Sequence, residues 1–162
     1  MIDLNSGDER IPFTPVALYI DYISIQYTKY LKDNYPEITP RDFTYLSTIH
    51  HNPGLTQREL SEILFVSEAN VAQIIKRLEK NELVHRGSDE NNKSKKILNV
   101  TDKAKLIISS LLKEMYEFDS KFFDDYSDEE AEKFKKMIHA YYEWANLFVN
   151  FKWYSSDIQL CT

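Results

Sequence analysis

Helix-start signals set close together constrain this sequence most. Thr39-Pro40-Arg41-Asp42 combines a threonine cap, proline at the first helical position and an acid three residues after the cap. The helix it opens must stop before Asn52-Pro53-Gly54. Thr56-Gln57-Arg58-Glu59 is a full capping box opening a short helix through about Leu64, and Phe65-Val66 make a turn. Ser67 then caps a helix to about Asn81. Spacing turns Val71, Ile74, Ile75 and Leu78 inward and leaves Asn70, Gln73, Arg77 and Lys80 along another face. After Leu83-Val84 comes the polar, turn-rich run Gly87 to Lys96, then β-favouring Ile97-Leu98-Asn99-Val100, the pattern of a β-hairpin.

Helix, short helix, turn, helix and hairpin in that order make a winged helix-turn-helix. Long helices flank it. Thr14-Pro15 starts a helix to about Asn34 with the stripe Val16, Tyr19, Ile20, Ile23, Tyr27, Tyr30 and Leu31. Leu18, Tyr22 and Ile25 lie on its other side, so it needs cover on two faces. Thr101-Asp102 caps a helix to about Asp125 with Ala104, Ile107, Ile108, Leu111, Met115, Phe118 and Phe122 in line. Ser127-Asp128-Glu129-Glu130 opens the last helix, with Phe134, Met137, Ile138, Tyr141, Ala145 and Phe148 on one face. The expected fold is mainly α with a small β-wing. Residues 1–36 form an arm and dimerisation helix, residues 37–101 the winged helix-turn-helix, and residues 102–162 the C-terminal dimerisation helices and tail.

Composition excludes several classes. Three glycines in 162 residues are too few for a glycine-rich phosphate loop. One cysteine, Cys161, rules out an intramolecular disulfide and a multi-cysteine zinc module within the chain. His50, His51, His85 and His139 do not converge with carboxylates as metal ligands do. No nucleophile-histidine pair or paired-carboxylate context marks an enzyme, so no catalysis and no cofactor are expected. Apolar stretches are interrupted by Asp21 and Glu143, short of the roughly 20 residues a membrane span needs. The N-terminus carries acids where a signal peptide carries a basic segment, and a cytoplasmic location is expected.

The segment Leu55-Thr56-Gln57-Arg58-Glu59-Leu60-Ser61-Glu62-Ile63-Leu64, followed by Val71 through Arg86, resembles the MarR family of transcriptional regulators. The hairpin closing in Val100-Thr101-Asp102-Lys103-Ala104 continues the resemblance, which spans about Thr39 to Leu106. It implies a homodimeric repressor or activator that binds double-stranded DNA, its terminal helices forming the dimer interface. Small aromatic ligands often occupy a cleft between dimer helices and winged domain in that family. Tyr22, Tyr27, Tyr30 and Phe43 are the candidates to line one here, with ordinary core packing as the alternative. Three positions depart from the family pattern. Glu82 and Ala104 stand where glycine is usual, and the wing reads Asn92-Lys93-Ser94 in place of Asp-Arg-Arg.

Charge supports a nucleic-acid partner without the resemblance. The whole chain carries −6, yet residues 76–96 hold 7 basic side chains against 4 acidic ones. In a docked winged helix the N-terminal half of the second helix enters the major groove. Asn70 and Gln73 suit adenine, Arg77 guanine or phosphate, and Glu68 cytosine, with Lys76 beside them. Thr56, Gln57 and Ser67 are phosphate candidates as well as helix starts. Lys93 and Lys95 belong at the wing tip, while Arg86 either contacts DNA or braces the wing through Asp89. One short helix reads only a few base pairs, so selectivity calls for two copies about 34 to 36 Å apart. Phe148, Phe151, Trp153 and Tyr154 extend the apolar seam that would join them. The competing reading is a winged-helix module that binds a protein of the transcription machinery without sequence-specific DNA contact.

Overall fold

The computed structural model describes residues 14–89 and 92–150, the side chains of 146–150 excepted. The elements run α1 (Val16–Asn34), α2 (Pro40–His51), α3 (Gln57–Ile63), α4 (Glu68–Lys80), β1 (Val84–Ser88), β2 (Lys96–Val100), α5 (Asp102–Phe123) and α6 (Asp128–Asn150). They fall into two units, Met1–Leu111 and Leu112–Thr162, with the boundary inside α5. The expected arm before residue 14, the aromatic residues Phe151, Trp153 and Tyr154, and Cys161 lie outside the described residues, as does the side chain of Phe148.

Local chemistry sets most helix starts. The Thr39 hydroxyl accepts from the Asp42 backbone N–H, and Asp42 accepts from the Thr39 N–H, closing the capping box of α2. Thr56 with Glu59 and Ser127 with Glu130 repeat that arrangement. Ser67 accepts from the Asn70 N–H, and Thr101 from the Ala104 N–H. The start of α1 differs from expectation. Pro15, not Thr14, holds the cap position, and it makes no side-chain cap bond. A proline there has no hydroxyl or carboxylate to offer, and its ψ of 137° keeps it extended, so the helix begins one residue later.

In the first unit, Leu46, Leu60, Ile75, Leu78, Leu83 and Ile108 are fully buried and weld the helix-turn-helix to the hairpin and to the start of α5. All four inward residues expected of α4 are buried. The hairpin is antiparallel, pairing Val84 with Val100 through Ser88 with Lys96. Leu98 N–H donates to Leu55 O at 2.7 Å, which anchors β2 to the segment between α2 and α3. In the second unit, α6 has no buried residue among those described. Phe122, Phe123, Tyr126 and Phe134 cluster with ring centroids 4.9 to 6.2 Å apart, and Lys135 Nζ lies 4.9 Å from the Phe123 ring.

Candidate nucleic-acid interface

Helix α4 presents four differently equipped sides. At about 100° per residue, the buried Val71, Ile74, Ile75 and Leu78 define its inner side. Ala69, Gln73, Lys76 and Lys80 lie opposite and are exposed. Asn70 and Arg77, seven residues apart, share the flank that meets α2. There the Tyr45 hydroxyl donates to Asn70 Oδ1 at 3.3 Å, and the Arg77 guanidinium pairs with Asp42. Glu79 lies on the remaining flank and pairs with Arg86 of β1 at 3.4 Å. The brace expected between Arg86 and Asp89 is thus made to Glu79. β1 follows α4 and packs against it, which brings Arg86 within reach of Glu79, whereas Asp89 accepts from the Asn92 N–H in the hairpin turn.

The wing tip is built by Asn92. Its backbone N–H donates to Asp89 Oδ1 at 3.1 Å, and its Oδ1 accepts from the Ser94 N–H at 3.1 Å, so the amide forms the turn that presents Lys93 to solvent. Lys95 is less free. Its Nζ lies 3.5 Å from Glu59 Oε1, joining the wing to the first turn of α3. The bonds from Thr56, aided by Lys95, hold the Glu59 carboxyl below its ordinary range. Lys96 Nζ donates to Ser88 Oγ across the strands.

The structure therefore sorts the residues expected from sequence. Gln73, Lys76, Glu68, Ser67 and Lys93 are exposed, with Gln73 and Lys76 centred on the outer face of α4. Arg77, Asn70, Arg86 and Lys95 each hold a protein partner. The Thr56 hydroxyl serves its capping box, and Gln57 turns its amide nitrogen inward, buried with no hydrogen-bond partner among the described residues. Lys80, exposed one turn beyond Lys76, is a further outer-face cation that an emphasis on the N-terminal half of the helix passes over. On α1, the hydroxyls of Tyr27 and Tyr19 are buried without a hydrogen-bond partner among the described residues, and burial pushes Tyr27 up to about 12. Tyr22 and Phe43 are half-buried and Tyr30 is exposed.

Comparison with known proteins fits this architecture. The MarR family model matches residues 38–95, from the approach to α2 to the wing tip. An uncharacterized HTH-type transcriptional regulator, YybA of Bacillus subtilis, is 30% identical over 103 residues, covering 64% of this chain and 69% of its own. The chain belongs to the MarR family. The crystal structure of MarR superposes with a TM-score of 0.68 at 23% identity, covering 92% of this chain and 99% of that one. FabT of Streptococcus pneumoniae, solved in complex with DNA, gives 0.70 at 19% identity over 86% and 98% of the two chains. At such identities the likeness is one of fold, and the fold is the winged helix of MarR proteins. Among the described residues no helix is long and apolar enough to cross a membrane.

Proposed function

We propose that this MarR-family chain is a homodimeric, non-enzymatic transcriptional regulator acting in the cytoplasm. It reads pseudo-palindromic double-stranded DNA with α4 in the major groove and Lys93 of the wing beside it. The observation that carries this is the outer face of α4. Gln73, Lys76 and Lys80 are exposed there, as is Lys93 on the wing, in a fold that FabT presents to DNA. A hydrogen-bonding amide between cations is the equipment for base edges flanked by phosphates.

Two copies are supported by surface chemistry. Tyr116, Phe118, Met137, Tyr142 and Trp144 are exposed in the second unit, Phe118 to 73%, and Val16, Ile20 and Ile23 are exposed along α1. Apolar area on that scale is removed from water by association. A small aromatic ligand as modulator rests on the unpaired Tyr27 and Tyr19 hydroxyls, which offer hydrogen bonds beside apolar surface. Tyr22, Tyr30 and Phe43 are the further lining candidates. Such a ligand acts only through different affinities for two dimer geometries.

Selection of bound fragments from random duplex DNA, with sedimentation of the protein alone, tests these statements together. An inverted repeat with half-sites about one turn apart, bound in a salt-dependent manner by a dimer, is the expected outcome. A monomer that enriches no duplex, yet captures a protein of the transcription machinery independently of salt, would instead identify an interaction module.

A further inference from the structure

Asn70 occupies the first turn of α4, where a side chain reaches furthest into a groove, yet it is bonded from behind. Tyr45 on α2 is 2% exposed, and its Oη donates to Asn70 Oδ1. Burial raises the phenol above its ordinary value, so it remains a protonated donor. A carboxamide can turn end for end, exchanging its acceptor for its donors. Here the exchange would face Nδ2 toward Tyr45 and strand a buried O–H without an acceptor, which costs free energy. The bond therefore selects one orientation, and among the described residues Nδ2 makes no hydrogen bond.

We propose that Tyr45 is a positioning residue for base recognition: its hydroxyl fixes the polarity of the Asn70 carboxamide and thereby sets the base accepted at one position of each half-site. The inference rests on the duplex-binding function proposed above. Oδ1 keeps a second lone pair after accepting from Tyr45, and Nδ2 supplies the donor. Adenine presents the matching N6 donor and N7 acceptor in the major groove. Asn70 thus becomes an oriented two-bond reader of adenine instead of a rotor that meets several bases equally.

The test is duplex selection with the full chain as wild type, Tyr45→Phe, Asn70→Ala, Asn70→Asp and the Tyr45→Phe/Asn70→Ala double variant. Wild type is expected to enrich adenine at the position read by Asn70. Tyr45→Phe should cut that preference about fivefold, leaving other positions and the salt dependence unchanged. Asn70→Ala should abolish it at the same position, and the double variant should match Asn70→Ala. Asn70→Asp keeps an acceptor for Tyr45 and loses the donor, so the preference should move to cytosine. Full retention of adenine preference by Tyr45→Phe, or equal weakening at every position, overturns the proposal. Enrichment of no motif by wild type removes the duplex-binding function as well, and the wild-type result alone distinguishes that case.

Discussion

The Arg77 guanidinium is held by the Asp42 carboxylate, whose other oxygen closes the capping box at the start of α2. One side chain thus begins a helix and fixes another helix carrying candidate DNA contacts. Asp42 is buried and Arg77 half-exposed, so the pair is shielded on one side only. Removing Arg77 leaves a buried carboxylate with only Thr39 to satisfy it. Arg77→Ala is therefore expected to lower unfolding free energy by about 1 to 3 kcal/mol. Urea denaturation of Arg77→Ala, Asp42→Asn and the double variant checks it. The double variant should lose less than the sum of the two, and strict additivity would show that the pair contributes nothing.

The wing lysines separate by their partners. Lys93 is exposed at a turn held by Asn92, whereas Lys95 is engaged with Glu59. Lys93→Ala is expected to weaken all duplexes alike and to reduce the salt slope by about one counterion, without changing stability. Lys95→Ala should also loosen the hairpin, seen as faster amide exchange in β1 and β2 than in Lys93→Ala. Titrations at two salt concentrations with hydrogen exchange decide it; indistinguishable variants would refute the division of labour.

The same Glu59 predicts an acid response. Its folded value lies below the ordinary 4.5, so its ionised form stabilises the fold at higher pH, and that contribution is lost as pH falls from 4.5 through the lowered folded value. Glu130 with Ser127 and Asp102 with Lys105 are shifted in the same direction, each by hydrogen bonding to the charged form. Glu59→Gln keeps a capping-box acceptor but loses the charge facing Lys95. Its stability should depend less steeply on pH below 4.5 than that of wild type, the two proteins differing most near neutrality and converging as the pH falls. Parallel curves for the two proteins would show that Glu59 does not contribute.

What the sequence made legible was chemistry confined to a few neighbouring residues. The boxes at Thr39, Thr56 and Ser127 lie within three residues of their partners, and the inward side of α4 follows from periodicity. Pairings across 25 and 35 residues, Tyr45 with Asn70 and Arg77 with Asp42, depend on how α2 crosses α4, which no local pattern encodes. For that reason Asn70 and Arg77 read from sequence as free groove residues, whereas both are tethered from one flank. Arg86 reaches Glu79 for a related reason, because β1 packs against the helix it follows. Thr14 resembled a cap since threonine before proline usually is one, yet Pro15 stays outside the helix.

Among the described residues, two non-glycine residues occupy the left-handed region, Phe65 with φ of 52° and Glu82 with φ of 58°. Glu82 completes the end of α4. Its N–H donates to Glu79 O, its carbonyl accepts from the Thr101 hydroxyl at 2.8 Å, and Lys103 Nζ donates to Asn81 O. These bonds involve backbone atoms of residues 81 and 82, so the Glu82 side chain, which is exposed, can be removed without breaking them. Glycine adopts the conformation without the Cβ clash, although it loses more chain entropy on folding. Glu82→Gly is expected to stabilise the protein by about 0.5 to 1 kcal/mol, the relief outweighing the entropy. Phe65 is 69% exposed, so Phe65→Gly should have the same sign. The two residues follow the ends of different helices, α3 and α4, and their effects should add. Denaturant midpoints of the two variants and their combination measure this; destabilisation by Glu82→Gly would mean that its carboxylate contributes more than its backbone strain costs.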